Sequence, residues 1–170
     1  MMRNKIDEIL NSLPKDELEN VYWSIKFIQE DYLFKKNLLD KGVIITELFE
    51  GAEEIEDLWD NTFAKNINEE MRESIHYTQH KWHIFSYEKQ ECLKEVAARK
   101  AFDVVSKNEL YVMYQDSPYV IQCNKANKVI AADFDSRIDI YIFDKNFTWT
   151  YVHTHESMCG PYFYKKVSAA

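Results

Sequence analysis

The chain has 3 cysteines, 3 glycines and 3 prolines in 170 residues, and each scarcity excludes something. Cys92, Cys123 and Cys159 are widely spaced, with no Cys-x-x-Cys pair. No disulfide framework is expected, and reduced thiols are the natural reading. So few glycines cannot build a phosphate-cradling loop, which argues against ATP and dinucleotide chemistry. Little glycine and proline also leaves little material for linkers or disorder. Long apolar runs are missing: nothing approaches the roughly 20 residues of a membrane helix. Charges interrupt everything before Val43, so no signal peptide is expected and the cytoplasm is the default location. Positive charge is short as well, 21 Lys and Arg against 29 Asp and Glu, for a net charge of -8. That balance repels nucleic acid. It suits solubility, or attraction of a basic protein partner.

What is abundant is apolar and aromatic: 46% hydrophobic and 15% aromatic residues. A chain of this length builds one good core, burying roughly 70% of the surface its unfolded state exposes. Residues 4–11 form a short amphipathic turn or helix around Ile6, Ile9 and Leu10. Pro14 then opens a longer helix, with Asp16, Glu17 and Glu19 in its first turns, where the helix dipole favours anions. Leu18, Val21, Ile25, Ile28 and Tyr32 make a seam spaced 3-4-3-4. Trp23, Phe27 and Phe34 lie off that seam, and the helix stops near Lys41-Gly42. Beyond it come a strand at residues 43–48 and a helix from about Ala52 carrying Ile55, Leu58, Trp59 and Phe63. Asn68 caps a further helix. The pattern then predicts a strand at 82–86 and a helix from Tyr87 to about Phe102, capped by Ser86, with Leu93, Val96, Ala97 and Ala101 buried. Strands at 110–115 and 119–124, a weak one at 128–131, a hairpin, and a last strand at 162–165 complete the chain.

The hairpin, residues 138–156, is the strongest signal. Both arms alternate with period 2 and are broken by Asp144-Lys145-Asn146. A two-residue turn at Lys145-Asn146 pairs Ile142 with Trp149, Ile140 with Tyr151 and Ile138 with His153, and Asn146 tolerates the positive φ such a turn needs. One face is then core-grade: Ile138, Ile140, Ile142, Phe147, Trp149 and Tyr151. The other mixes threonines with Tyr141, Phe143 and Val152. His153 and His155 continue the apolar row where the strand leaves the core. The overall expectation is α+β: a mainly antiparallel C-terminal sheet, a β-meander with helices on one face, in residues 43–170, and a helical extension in residues 1–42.

Three segments, KWHIFSYEKQECL (81–93), FTWTYVHTHE (147–156) and CGPYFYKK (159–166), resemble a small bacterial family catalogued as Domain of Unknown Function 4275. The resemblance runs from about residue 43 to the end. It implies no established activity, and it marks His83, His155 and Glu156 as positions of interest.

Several constellations can carry chemistry. His153-x-His155, with Cys159 beyond and His83 from another segment, offers ligands for zinc, though not at finger or ribbon spacing. Cys159 beside His155 has the elements of a thiol nucleophile and its base. His76, His80 and His83 would share a face only on a helix, and the strand expected at 82–86 separates them. Asp133, Asp135, Asp139 and Asp144 do not make a calcium loop, since Ile138 stands where the loop needs glycine. Glu50, Glu53, Glu54, Glu56, Asp57 and Asp60 form an acidic helix surface.

Two function classes follow. The first is a small acidic interaction protein without enzymatic activity, an immunity- or antitoxin-like regulator of a basic partner, requiring no cofactor. The second is an enzyme or small-ligand or metal-binding protein with its site at the hairpin rim. There His83, His153, His155 and Glu156 supply polar groups, and Trp149 and Tyr151 a wall. Residues 1–40 carry apolar rows on two sides. They are expected to form a homodimer, unless the first helix folds back to cover them.

Overall fold

Two helices open the chain, and Pro14 separates them. Leu13, the residue before it, is extended, as the proline ring demands, so α1 (Met2–Ser12) stops and α2 (Lys15–Asp40) begins just past it. Gly42 ends α2 in the left-handed conformation at φ 86. Its N–H donates to the Leu39 carbonyl at 2.9 Å and that of Val43 to Leu38 at 3.1 Å, a glycine cap that satisfies carbonyls the helix leaves unpaired. The computed structural model describes residues 1–166. Residues 167–170, the end of the stretch assigned to the main domain, lie outside the described residues. The chain divides into two compact units, Met1–Lys36 and Asn37–Ala170.

The second unit continues with β1 (Ile44–Leu48), α3 (Ala52–Phe63), α4 (Glu69–Ser74), α5 (His83–Ser86), β2 (Leu93–Lys94) and α6 (Glu95–Val104). It ends with β3 (Glu109–Tyr114), β4 (Val120–Asn124), β5 (Ile140–Asp144), β6 (Trp149–His153) and β7 (Tyr162–Lys165). The strands form one seven-stranded sheet in the order β1-β4-β3-β5-β6-β7-β2, antiparallel at every pairing. The class is α+β, and β5, β6 and β7 form the meander that the alternation indicated.

Helices cover both faces of the sheet, not one. Tyr141, Phe143, Val152 and Tyr162 on one face are buried against Trp59 and Phe63 of α3 and Phe85 of α5. Trp59 meets Tyr141 edge-on at 5.1 Å, and Phe85 stacks on Tyr162 at 5.6 Å. On the opposite face Phe102 of α6 packs on Tyr151 at 4.6 Å and Trp149 at 5.7 Å. On the face that mixes threonines with aromatics, Thr150 is fully buried and accepts a hydrogen bond from Trp59 Nε1 at 3.1 Å. A buried hydroxyl is tolerated when it is paired.

The hairpin register differs by two residues from the expected one, with Ile142 opposite Tyr151 and Ile140 opposite His153. The connection is longer because Asp144 organises it. Its carboxylate accepts from the N–H groups of Thr148 at 2.6 Å and Trp149 at 3.0 Å, and Phe147, not Asn146, takes the positive φ. A shift of two leaves every side chain on its face. Ile138 precedes the strand and is exposed.

Three elements depart from expectation. Residues 83–86 are helical, held by bonds such as Phe85 N–H to the Trp82 carbonyl at 3.0 Å. Ile84 and Phe85 are both fully buried, and the turn that carries them closes with the N–H groups of Lys89 and Gln90 donating to the Ile84 carbonyl at 2.8 and 3.0 Å. The next helix starts at Glu95 rather than Tyr87, where Glu95 N–H donates to the Pro161 carbonyl at 2.8 Å. It buries Ala98 and Phe102 and leaves Leu93 and Val96 exposed. The segment taken as a weak strand leads instead into a 3-10 turn, Ala131–Phe134.

Candidate histidine–carboxylate site

Antiparallel pairing of Ile140 with His153 brings the entry of β5 beside the exit of β6. Asp139, one residue before β5, has φ 49, a left-handed conformation that Asp accepts more readily than most residues. Its backbone carbonyl accepts from Gln115 N–H at 2.9 Å. Its carboxylate faces the segment just past β6. The backbone N–H of His155 donates to Oδ1 at 3.2 Å, and His155 Nδ1 lies 2.9 and 2.8 Å from the two carboxylate oxygens. A carboxylate only accepts, so this ring nitrogen carries the proton and Nε2 is left as the basic atom. Trp82 Nε1–H donates to Asp139 Oδ1 at 2.9 Å. Trp82 is held in turn by its own N–H, which donates to the Tyr141 hydroxyl at 3.1 Å. That hydroxyl donates to Gln115 Oε1 at 2.7 Å.

His80 completes the centre. Its ring lies 5.0 Å from that of His155 and stacks on Trp82 at 5.4 Å. His80 Nδ1 is buried without a hydrogen-bond partner among the described residues. One ligand atom from each of His80, Asp139 and His155 lies within 4.8 Å of the others. His80 and Asp139 escaped the sequence reading. His80 was set aside with a helical trio, and Asp139 was weighed only as a calcium ligand.

The other candidates fall in different places. His83 packs edge-on against Trp82 at 4.4 Å and His80 at 5.2 Å, and its Nδ1 lies 2.6 Å from the Ile75 carbonyl. Burial lowers its pKa below the usual histidine value. Glu156 Oε1 is 3.9 Å from His155 Nε2. His153, the last residue of β6, borders the same small cavity as His155 but contributes no atom to the cluster with His80 and Asp139. The strand ends between them, and His153 feels Arg137, Asp135 and Arg99 while burial lowers its pKa. Trp149 and Tyr151 are core residues on the Phe102 face rather than a wall at the rim. Cys159 does not join the group of potential ligands. Hydrogen bonding to Glu156, followed by burial, raises its thiol pKa, which opposes the thiolate a nucleophile needs.

A small cavity of about 270 Å³ opens here, bordered by Ile138, residues 153–157 and residues 159–161. Thr154 closes the loop around it, its hydroxyl within reach of the carbonyls of Glu156 and Cys159 and its single proton donated between them. Next to Trp82, Lys81 is buried with its ammonium 2.8 Å from both Asp60 oxygens and 3.1 Å from Glu56. Tyr77 donates to Asp60 at 2.7 Å. This network fixes the chain segment that presents His80 and Trp82.

Fold and site together define an α+β protein with a histidine–carboxylate centre where β5 and β6 meet the 76–82 segment. The chain belongs to the family described as Domain of unknown function (DUF4275), whose family model matches residues 32–163. The match begins within α2, before Val43. No curated protein and no solved structure matches the chain. No helix among the described residues is long and apolar enough to cross a membrane.

Proposed function

We propose that this protein acts on or binds a small polar molecule, using His155 as an acid–base group oriented by Asp139. The observation that carries the proposal is the Asp139–His155 pair at 2.8–2.9 Å, clamped by Trp82. A carboxylate on Nδ1 fixes the ring and supports the imidazolium that forms when Nε2 takes a proton. The adjoining cavity, about 270 Å³, is sized for a compact ligand. The test equilibrates the full chain with a soluble metabolite extract and follows retention and conversion by mass spectrometry. Metabolites retained or converted by the wild type and by His76→Asn, but not by His155→Ala or Asp139→Asn, support the proposal. The absence of any His155-dependent binding or conversion defeats it.

A second reading, an acidic interaction protein that engages a basic partner, is favoured by Glu53, Glu54 and Asp57, exposed together on α3. Its charge is smaller than the sequence suggested, because Glu56 and Asp60 turn toward Lys81. Salt-sensitive capture of a basic protein, lost on Glu53→Lys/Asp57→Lys, distinguishes it.

A further inference from the structure

We propose that His80, Asp139 and His155 bind a divalent first-row transition ion, with Zn²⁺ the expected occupant. The inference rests on the histidine–carboxylate centre being the functional site, and it names the ion that centre takes.

Three separate chain segments supply the group: the loop after α4, the entry of β5 and the exit of β6. Each offers one ligand atom, and the three atoms lie within 4.8 Å of one another. Zinc bonds of about 2.0–2.2 Å place tetrahedral neighbours roughly 3.3–3.6 Å apart. Closing the set to a zinc shell therefore asks each ligand atom to move on the order of an ångström. Two imidazoles and a carboxylate form a borderline nitrogen–oxygen donor set. Such a set suits zinc and its first-row neighbours, whereas magnesium and calcium prefer oxygen throughout. Three protein ligands without a thiolate leave a coordination position open, the arrangement of a site that works on a bound molecule rather than a closed structural one.

The surroundings fit a cation as well. Trp82 Nε1–H and the His155 backbone N–H both donate to Asp139 Oδ1, which fixes the carboxylate as outer partners of metal ligands commonly do. Glu156 lies 3.9 Å from the outer nitrogen of His155 and adds negative potential at the mouth. His80 Nδ1, buried and unpartnered among the described residues, marks His80 as a group whose polar capacity the fold leaves unused. An ion held by both Asp139 and His155 Nδ1 takes the place of the Nδ1 proton between them, which the neutral ring relocates to Nε2, so in the loaded protein the pair serves as ligands rather than as an acid–base couple.

Calorimetric titration of tag-free, chelator-stripped full-length protein with zinc chloride tests the inference, with magnesium and calcium chloride as controls. The expected result is one zinc per chain and no uptake of the controls. His80→Ala, His155→Ala and Asp139→Asn should each weaken zinc at least roughly tenfold, while His76→Asn binds as the wild type does. Wild-type protein that takes up no zinc at micromolar concentration overturns the inference. So does binding that survives in both His80→Ala and His155→Ala, or is lost only on changing His153 or Cys159. Cobalt(II) substitution needs no variant: visible bands without a thiolate charge-transfer band in the near ultraviolet agree with the assignment, and a thiolate band contradicts it. A failure of zinc to bind leaves His155-dependent metabolite capture standing, so the two proposals fail separately.

Discussion

Burial lowers the pKa of both His83 and His153 below the usual value of 6.5, and this gives the fold a pH dependence. Each is held neutral in the folded chain and titrates normally in the unfolded one. Between the depressed folded pKa and 6.5 the unfolded state binds more protons, so stability rises with pH through that window and is lost as pH falls through it. Thermal melts should therefore decline from pH 7 toward pH 5, and His83→Gln should flatten the decline. An unchanged slope in that variant would remove His83 from the account. Residue by residue, His155 was legible in the sequence because it ends an alternating apolar row and sits in a recognisable motif. His80 and Asp139 were not, because nothing local connects them. They meet only through the β5–β6 register, the left-handed Asp139 backbone and the turn that carries Trp82. His153 borders the same cavity as His155 yet stays outside the cluster with His80 and Asp139, because period-2 alternation holds only while the strand lasts.

At the scale of elements, Trp59 is the central anchor of α3, beside buried Ala52 and Phe63. Trp59 is fully buried, packs on Phe63 and Tyr141, and donates its indole N–H to Thr150. Trp59→Ala should cost about 3–5 kcal/mol, a large share of the roughly 5–15 kcal/mol that holds a domain together. Thr150→Val keeps the volume but leaves a buried indole donor unpaired, at about 1–3 kcal/mol. Urea denaturation with an unchanged m-value reads both. A Trp59→Ala loss below about 1 kcal/mol would mean α3 is held by other contacts. The long helix, the capped helix at Asn68 and the β5–β6–β7 alternation were readable because each is fixed by local pattern. The short α5 and the late start of α6 were not. They depend on distant partners such as the Pro161 carbonyl that receives Glu95 N–H, and a run of four residues carries too little periodicity to decide between helix and strand.

For the whole molecule, α2 poses the remaining physical problem. Its 26 residues extend about 39 Å, and apolar side chains on more than one side remain exposed: Trp23 is 60% accessible, Phe27 65% and Ile28 67%, with Ile25 and Tyr32 also open. A soluble monomer seldom presents an apolar patch of that extent. We propose a second copy of the same helix as the occupant. The Leu18-Val21-Ile25-Ile28-Tyr32 seam keeps the 3-4-3-4 spacing of a helix–helix contact. Light scattering on the full chain at micromolar concentration should give twice the 20.3 kDa chain mass. Ile25→Asp places a charge in the middle of the seam, and should return a monomer with unchanged circular dichroism, because the side chain it replaces is exposed within one chain. A monomer mass for the wild type would defeat the pairing, and a dimer that survives Ile25→Asp would move the interface to another surface.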